Sequence, residues 1–165
     1  MSLGAAVIES NHVVFRVADL RAFLIGAWRI SRTVRDVRLG LDGTFDGTAT
    51  LESANGGDLL LRETGVMRFG GHAGPAEQTY RYAFPDGPRR ALVFRHDGAP
   101  FHDLDLSTGT AEAVHHCGAD TYRGRFRVEG WDTWVTEWLV GGPRKNYHMI
   151  TRHSRLVPPT EGCSK

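Results

Sequence analysis

The run Gly26, Ala27 and Trp28 constrains the fold most, because it follows a short amphipathic segment and precedes a long series of alternating residues. In an antiparallel barrel capped by a helix, a glycine lets the chain pass tightly from the helix into the first strand. A tryptophan two residues later fills the barrel floor. A late arginine, Arg152 or Arg155, would then lie across Trp28 through a cation–π contact. The run therefore predicts a barrel with a plugged floor.

The segment before this run is predicted to be a helix of about two turns. Asp19 is in the position of an N-cap, and Gly26 is in the position of a C-terminal stop. Between them, one apolar stripe is formed by Leu20, Phe23 and Leu24. Such a stripe indicates a helix that covers one end of the barrel.

After Trp28 the sequence alternates with a period of two and is broken at short intervals by turn residues, which is typical of a meander. We predict an all-β fold: an antiparallel up-and-down β-barrel of 8–10 strands with a short N-terminal capping helix. The glycine-rich residues 69–76 are predicted to form the longest loop, at one barrel mouth. The predicted strands are 27–37, 44–53, 58–68, 77–85, 91–97, 101–106, 111–117, 121–129, 133–140 and 145–156.

The 165 residues fit one domain, predicted over residues 18–157, with an N-terminal extension at 1–17 and a disordered tail at 158–165. Two cysteines are too few for a disulfide framework, and there is no secretory leader or long apolar run, so we expect a cytoplasmic protein without a membrane partner. The net charge of +1 gives no general attraction for nucleic acid. Neither pattern nor composition decides between a monomer and a homodimer.

Alternation assigns faces to several polar side chains. In the first strand Arg32 shares its face with Trp28 and Ile30, so we expect it inside the barrel. In the third strand both alternating sets of residues contain apolar side chains, so the pattern does not show which set faces the core. Glu63 is inside only if its set does. Tyr82 shares one face with two other aromatic residues, and the small Gly47 in the second strand is expected to leave space beside it.

The densest polar cluster comes from neighbouring hairpins that contain His102, His115, Cys117 and Tyr122. Three roles stay open for it: a metal site, a Cys–His nucleophile pair, or hydrogen-bonding groups around a small molecule. Because His115 and Cys117 supply only two ligands on one face, we assign no metal ligands and expect no cofactor. If the protein is an enzyme, then His102, His115 and Tyr122 are the candidate acid–base groups.

The late strands add aromatic and basic residues. Trp138 shares its face with Trp134 and would line or fill the interior. Lys145 follows a Gly-Gly-Pro turn and leads into the last strand, which contains Tyr147. The candidate ligand-binding residues are Arg32, Glu63, Tyr82, Cys117, Trp138, Lys145 and Tyr147.

Several motifs carry a family resemblance over residues 20–156. They are Phe23-Leu24-x-Gly26-x-Trp28-x-Ile30-x-Arg32, Pro100-Phe101-His102, His115-x-Cys117-x-x-Asp120-x-Tyr122-x-Gly124-x-Phe126 and Trp138-x-Val140-x-Gly142-Pro143-x-Lys145-x-Tyr147. With these motifs the chain resembles an uncharacterised bacterial family of domains of unknown function. The resemblance implies a lipocalin/calycin-like barrel and no particular activity. In outline the chain is also similar to barrel haem proteins of the nitrobindin type, in which case His148 or His153 would bind the iron.

The sequence favours a pocket that binds a small, partly apolar, anionic molecule, with Arg32 as the cationic contact. The alternative is a barrel enzyme of isomerase, cyclase or hydrolase type, in which histidine or tyrosine moves a proton and Arg32 stabilises an oxyanion. Further alternatives are a haem-binding barrel and a protein-interaction module with a filled interior.

Overall fold

The computed structural model describes residues 14–157, so the predicted tail at 158–165 and most of the N-terminal extension lie outside the described residues. One helix, α1 (Leu20–Leu24), precedes ten strands that form a single antiparallel sheet. The strands are β1 (Gly26–Asp36), β2 (Leu41–Ser53), β3 (Leu59–Phe69), β4 (His72–Ala83), β5 (Arg90–Arg95), β6 (Pro100–Asp105), β7 (Thr110–Cys117), β8 (Asp120–Gly130), β9 (Thr133–Gly141) and β10 (Asn146–Arg155). The predicted all-β up-and-down barrel with a capping helix is confirmed.

Backbone hydrogen bonds join neighbouring strands at nine of the ten positions around the barrel. The strand order is β6-β5-β4-β3-β2-β1-β10-β9-β8-β7, which leaves β6 and β7 as the two edges although they are consecutive in the chain. Within residues 14–157 no ladder joins these edges. Side chains cross the seam instead, and the ring centroids of Phe101 and His115 lie 5.1 Å apart. No helix in this part of the chain is long and apolar enough to cross a membrane.

The barrel floor is the predicted tryptophan plug. The Asp19 side chain accepts a hydrogen bond from the backbone N–H of Ala22 and so begins α1. Trp28 is fully buried, and its Nε1–H donates to the carbonyl of Leu24 over 2.9 Å. The guanidinium of Arg155 lies 4.1 Å from the centre of the Trp28 ring and also donates to the carbonyl of Phe23. Arg155 is therefore the late arginine across the plug.

The predicted loop at residues 69–76 is wrong, because β3 continues to Phe69 and β4 begins at His72. Only Gly70 and Gly71, both with positive φ, form the turn. The glycine and proline that suggested a loop lie in the first half of β4, which within residues 14–157 pairs with β3 alone, since β5 pairs only with Tyr80–Ala83. Proline and glycine are tolerated in a strand that has a free edge.

The space expected beside Gly47 is filled by backbone. Gly47 pairs with Gly65 of β3, and a Cβ built on Gly47 would overlap the carbonyl of Thr64 and the Cα of Gly65. A Cβ on Gly65 would likewise overlap the carbonyl of Asp46. This pair of glycines lets the backbones of the two strands approach closely.

We expect Gly47→Ala to lower the free energy of unfolding by about 1–3 kcal/mol, because a rigid backbone must move to accept the new methyl group. Urea denaturation followed by circular dichroism measures this loss. Gly74→Ala is the matched control: Gly74 lies in β4 and has ordinary φ and open space around it. Equal stability of the two variants would show that the Gly47–Gly65 contact does not constrain the barrel.

Candidate functional site

The barrel interior contains a cavity of about 160 Å³ that is partly open to solvent, so the interior is not filled by side chains. An apolar cavity of about 150 Å³ is large enough to hold a benzene-sized molecule. Inward-facing residues of eight strands line it: β1, β3, β4, β5 and β6 on one side, and β8, β9 and β10 on the other. The lining residues are Arg32, Leu61, Glu63, Gln78, Tyr80, Tyr82, Val93, Phe101, His102, Tyr122, Phe126, Trp134, Thr136, Trp138, Met149, Thr151 and His153.

Arg32 and Glu63 form an ion pair inside the cavity. Both terminal nitrogens of Arg32 donate to the Glu63 carboxylate over 3.0–3.1 Å, and Nε donates to the Thr151 hydroxyl over 2.8 Å. The side chains are only 16% and 7% exposed. Arg32 therefore faces inward as predicted, and Glu63 takes the inward face that its sequence left open. Because each charge neutralises the other, the pair adds no net charge to the cavity.

Two tyrosines beside this pair remain neutral. Burial, and secondarily the negative charge of Glu63, raise the pKa of Tyr82 far above its usual value. The same two causes raise the pKa of Tyr80, whose hydroxyl accepts a hydrogen bond from the Gln78 amide over 2.7 Å. Both phenols therefore offer uncharged hydroxyl groups to the cavity at neutral pH.

A β-bulge brings two consecutive residues into the cavity. Val93 pairs with His102 and Phe94 pairs with Pro100, so Phe101 is an extra residue in β6. Neighbours in a regular strand face opposite sides, whereas a bulge can turn both to one side. Phe101 and His102 accordingly both line the cavity, which decides the orientation of His102.

Phe101 is the centre of an aromatic wall. Its ring stacks on Tyr80 at a centroid distance of 5.9 Å and on Trp138 at 5.1 Å, with interplanar angles of 18° and 22°. The edge of Tyr122 approaches the same ring at 6.1 Å. Flat aromatic surfaces of this kind are typical of pockets for small, partly apolar molecules.

His102 is a neutral hydrogen-bond acceptor in this site. Its Nδ1–H donates to the carbonyl of Asp103 over 2.8 Å, because a carbonyl can only accept, and Nε2 is left with its lone pair. Burial lowers the pKa of His102 below its usual value. The imidazole is thus uncharged at neutral pH, as a general base requires, and the predicted acid–base role of His102, His115 and Tyr122 stays a prediction.

The deep end of the cavity contains a residue pair that the sequence did not single out. Trp134 lies next to the floor, with its ring centroid 6.3 Å from that of Trp28. His153 stacks on Trp134 at 3.9 Å, and its Nδ1 lies 3.4 Å from the Trp134 carbonyl. Burial and the nearby charge of Arg32 lower the pKa of His153 to about 3. The predicted meander pairs these two strands, but the sequence did not give the register that places His153 opposite Trp134.

Four of the predicted site residues do not line the cavity. The His115 ring packs against Phe101, and Cys117, the last residue of β7, is exposed. Lys145 lies at the rim, where its Nζ donates to the Tyr122 hydroxyl over 3.3 Å and pairs with Asp120 over 3.2 Å. Tyr147 is half-buried near the start of β10. Alternation places all four on the inward side, but they lie near strand ends or, for Lys145, just before β10, where an inward side chain need not be buried.

The geometry of the cavity and its histidines shows whether a metal ion or haem could bind there. Among residues 14–157 no group of three His, Cys, Asp or Glu side chains is arranged to hold a metal ion. His148 does not line the cavity and instead contacts Glu137 over 2.7 Å, and one face of His153 is covered by Trp134. A cavity of about 160 Å³ is far too small for a four-ring macrocycle. The site and its histidines therefore do not fit haem.

Comparison with known proteins gives a family and a fold. A family model described as "Family of unknown function (DUF6314)" matches residues 24–155, whereas no curated protein matches the chain. The S-type phycobiliprotein lyase CPES from Guillardia theta superposes with a TM-score of 0.62 at 9% identity, covering 87% of this chain and 94% of the lyase. A protein of unknown function from the DUF3598 family of Nostoc punctiforme superposes with a TM-score of 0.59 at 12% identity, covering 86% of this chain and 51% of that longer chain. At these identities the likeness shows the barrel fold alone.

Proposed function

Because the chain belongs to DUF6314, a family of unknown function, we propose its role from its own geometry: it binds a small, neutral, partly apolar molecule in the barrel cavity. The observation that supports this most strongly is a cavity inside the barrel that has an aromatic wall and in which the charges of Arg32 and Glu63 cancel. Small-molecule sites are usually mostly apolar pockets with a small number of precisely positioned polar groups.

The expected anionic ligand loses its support in this geometry. An incoming anion would have to compete with Glu63 for Arg32, and Glu63 already accepts hydrogen bonds from both terminal nitrogens. Four other titratable groups in the lining, His102, His153, Tyr80 and Tyr82, are held neutral by burial. A buried anion without a free counter-charge is strongly disfavoured. A neutral ligand avoids that cost.

Two naphthalene derivatives of similar size test the preference for a neutral ligand. We expect 2-naphthol, which is uncharged at pH 7, to bind at least about tenfold more tightly than 2-naphthoate, which corresponds to about 1.4 kcal/mol. Isothermal titration calorimetry at one ionic strength measures both dissociation constants. Equal affinities, or tighter binding of 2-naphthoate, would contradict a neutral ligand.

A cavity-filling variant locates the binding site. Thr136 of β9 lines the cavity, and Thr136→Phe is expected to abolish 2-naphthol binding by occupying that space. Leu139→Phe is the control, because Leu139 lies on the outer face of the same strand and is 45% exposed. If Thr136→Phe folds and still binds 2-naphthol like the wild type, the molecule binds outside the cavity and the proposal fails.

A further inference from the structure

His102 lies on the inward face of the barrel, in a row of residues that crosses three strands. It pairs with Val93 of β5, and Val93 pairs in turn with Tyr82 of β4. Residues directly opposite each other in an antiparallel pair have their side chains on the same face of the sheet. Val93 is only 2% exposed, and all three residues line the cavity. The His102 ring is therefore inside the barrel, where its centroid lies 5.3 Å from that of Phe126 and 5.4 Å from that of Trp138.

The Nε2 atom of His102 is an acceptor that the protein leaves without a donor. Nδ1–H donates to the carbonyl of Asp103 in the same strand, so Nε2, on the far side of the ring, is turned away from β6. Within residues 14–157 this is the only hydrogen bond of the ring. Burial lowers the pKa of His102, so Nε2 keeps its lone pair at neutral pH.

This acceptor is also open to a small molecule. In the described part of the chain, Trp134 Nε1 is the only fully buried side-chain nitrogen or oxygen that lacks a hydrogen-bond partner. His102 Nε2 lacks a partner as well, so it is not fully buried, and a water-sized probe reaches it. Because the ring lines the cavity and Nε2 is turned away from its own strand, the accessible lone pair faces the cavity.

We propose that the cavity binds a neutral aromatic molecule that carries a hydrogen-bond donor, and that His102 Nε2 accepts the hydrogen bond from this donor. This inference rests on the proposed function and names the class of ligand for it. The aromatic wall around Phe101 packs against the ring of the ligand, and His102 selects the polar group. An ether or a hydrocarbon of the same shape leaves Nε2 unpaired. Sites that hydrogen-bond a ligand discriminate strongly against analogues that lack the bonding group.

Three bicyclic probes isolate the contribution of the donor. The hydroxyl of 2-naphthol donates, the oxygen of 2-methoxynaphthalene can only accept, and naphthalene has no polar group. Their dissociation constants are measured for the wild type, His102→Phe and His116→Phe. His102→Phe keeps a planar ring and removes Nε2. His116→Phe is the matched control, because it makes the same chemical change at an exposed histidine that does not line the cavity.

We expect His102→Phe to weaken binding of 2-naphthol about tenfold, the equivalent of one hydrogen bond in the cavity, and not to weaken binding of the ether or the hydrocarbon. His116→Phe is expected to bind all three probes like the wild type. Comparing one probe across the three proteins cancels the different solubilities of the probes.

A second readout uses the wild type alone. In protein with ¹⁵N-labelled histidine, the signal of the unprotonated His102 nitrogen is assigned through the carbon-bound protons of its own ring. This signal should move upfield with 2-naphthol and not with 2-methoxynaphthalene, because a hydrogen bond to an imidazole lone pair shields the nitrogen. The readout does not depend on the stability of a variant.

The outcomes separate this inference from the proposed function on which it rests. If the probes bind and His102→Phe weakens all three equally or leaves 2-naphthol unchanged, the ligand does not donate to His102, and the inference is wrong while cavity binding stands. If His102→Phe does not fold, a His102 nitrogen signal that stays in place at saturation with 2-naphthol contradicts the inference by itself. If none of the three probes binds the wild type, the proposed function fails and this inference fails with it.

Discussion

Replacing Trp28 with alanine is expected to lower the free energy of unfolding by about 3–5 kcal/mol. The indole is fully buried, and its ring lies 5.5 Å from Phe23 and 6.3 Å from Trp134. Removing it opens a large cavity in the floor and leaves the Leu24 carbonyl without its donor. It also removes the surface on which the Arg155 guanidinium rests. The helix, the first strand and the last strand lose their shared contact together.

Urea denaturation followed by far-ultraviolet circular dichroism measures this loss. Trp131→Ala is the matched control, because Trp131 is 55% exposed and its backbone carbonyl, which accepts from Arg155, survives the substitution. We expect that variant to stay within about 1 kcal/mol of the wild type. A comparable loss in the two variants would mean that the floor is held by general apolar burial and not by a tryptophan plug.

Much of the fold was predictable because period-two alternation and turn residues determine where strands begin and end. The first half of β4 was missed for a physical reason. Gly74 and Pro75 signal a break in a sequence, but in the part of the chain that the structure describes one side of this segment has no partner strand, so neither residue interrupts a ladder on that side. Whether a strand has one neighbour or two depends on how the sheet closes, and short-range sequence patterns carry no information about closure.

A site residue was predictable only where the alternation within its own strand determined which face of the sheet its side chain occupies. The apolar neighbours of Arg32 determined its face, whereas the face of Glu63 depends on its pairing with Ala49 of β2. His102 faces inward through a bulge opposite Val93 and Phe94, and no residue in β6 announces that bulge. Trp134 and His153 come together through the register of β9 and β10. These features arise from pairing between strands and not from the sequence of any one strand.

Glu63→Leu is expected to lower the free energy of unfolding by about 3 kcal/mol, because it leaves the Arg32 guanidinium in the cavity without its counter-charge. The Arg32 side chain is 16% exposed, which places the loss at the low end for a broken buried pair. Arg32→Met in the same chain should restore stability to within about 1 kcal/mol of the wild type, since two apolar side chains can replace a buried pair. Chemical denaturation of the two single variants and the double variant measures the coupling.

An exposed pair of similar geometry shows what burial contributes. Arg35 and Asp42 lie 2.9 Å apart with side chains 50% and 73% exposed, so Asp42→Leu should change stability by less than about 1 kcal/mol. Equal losses from Glu63→Leu and Asp42→Leu would mean that water screens the inner pair as well as the outer one. In that case the cancellation of charge in the cavity would no longer explain a neutral ligand.

Glu63→Leu should also change the charge preference of the cavity from neutral to anionic ligands. With Glu63 removed, Arg32 keeps its bond to Thr151 and gains free N–H groups that can bind a carboxylate. We expect the affinity of Glu63→Leu for 2-naphthoate to rise at least about tenfold over the wild type, since a hydrogen bond to a charged group contributes about 1.5–3 kcal/mol. The double variant with Arg32→Met should lose that gain. If Glu63→Leu folds and its affinity for 2-naphthoate does not rise, then Arg32 is not reached by ligands, and the Arg32–Glu63 pair stabilises the barrel without determining what the cavity binds.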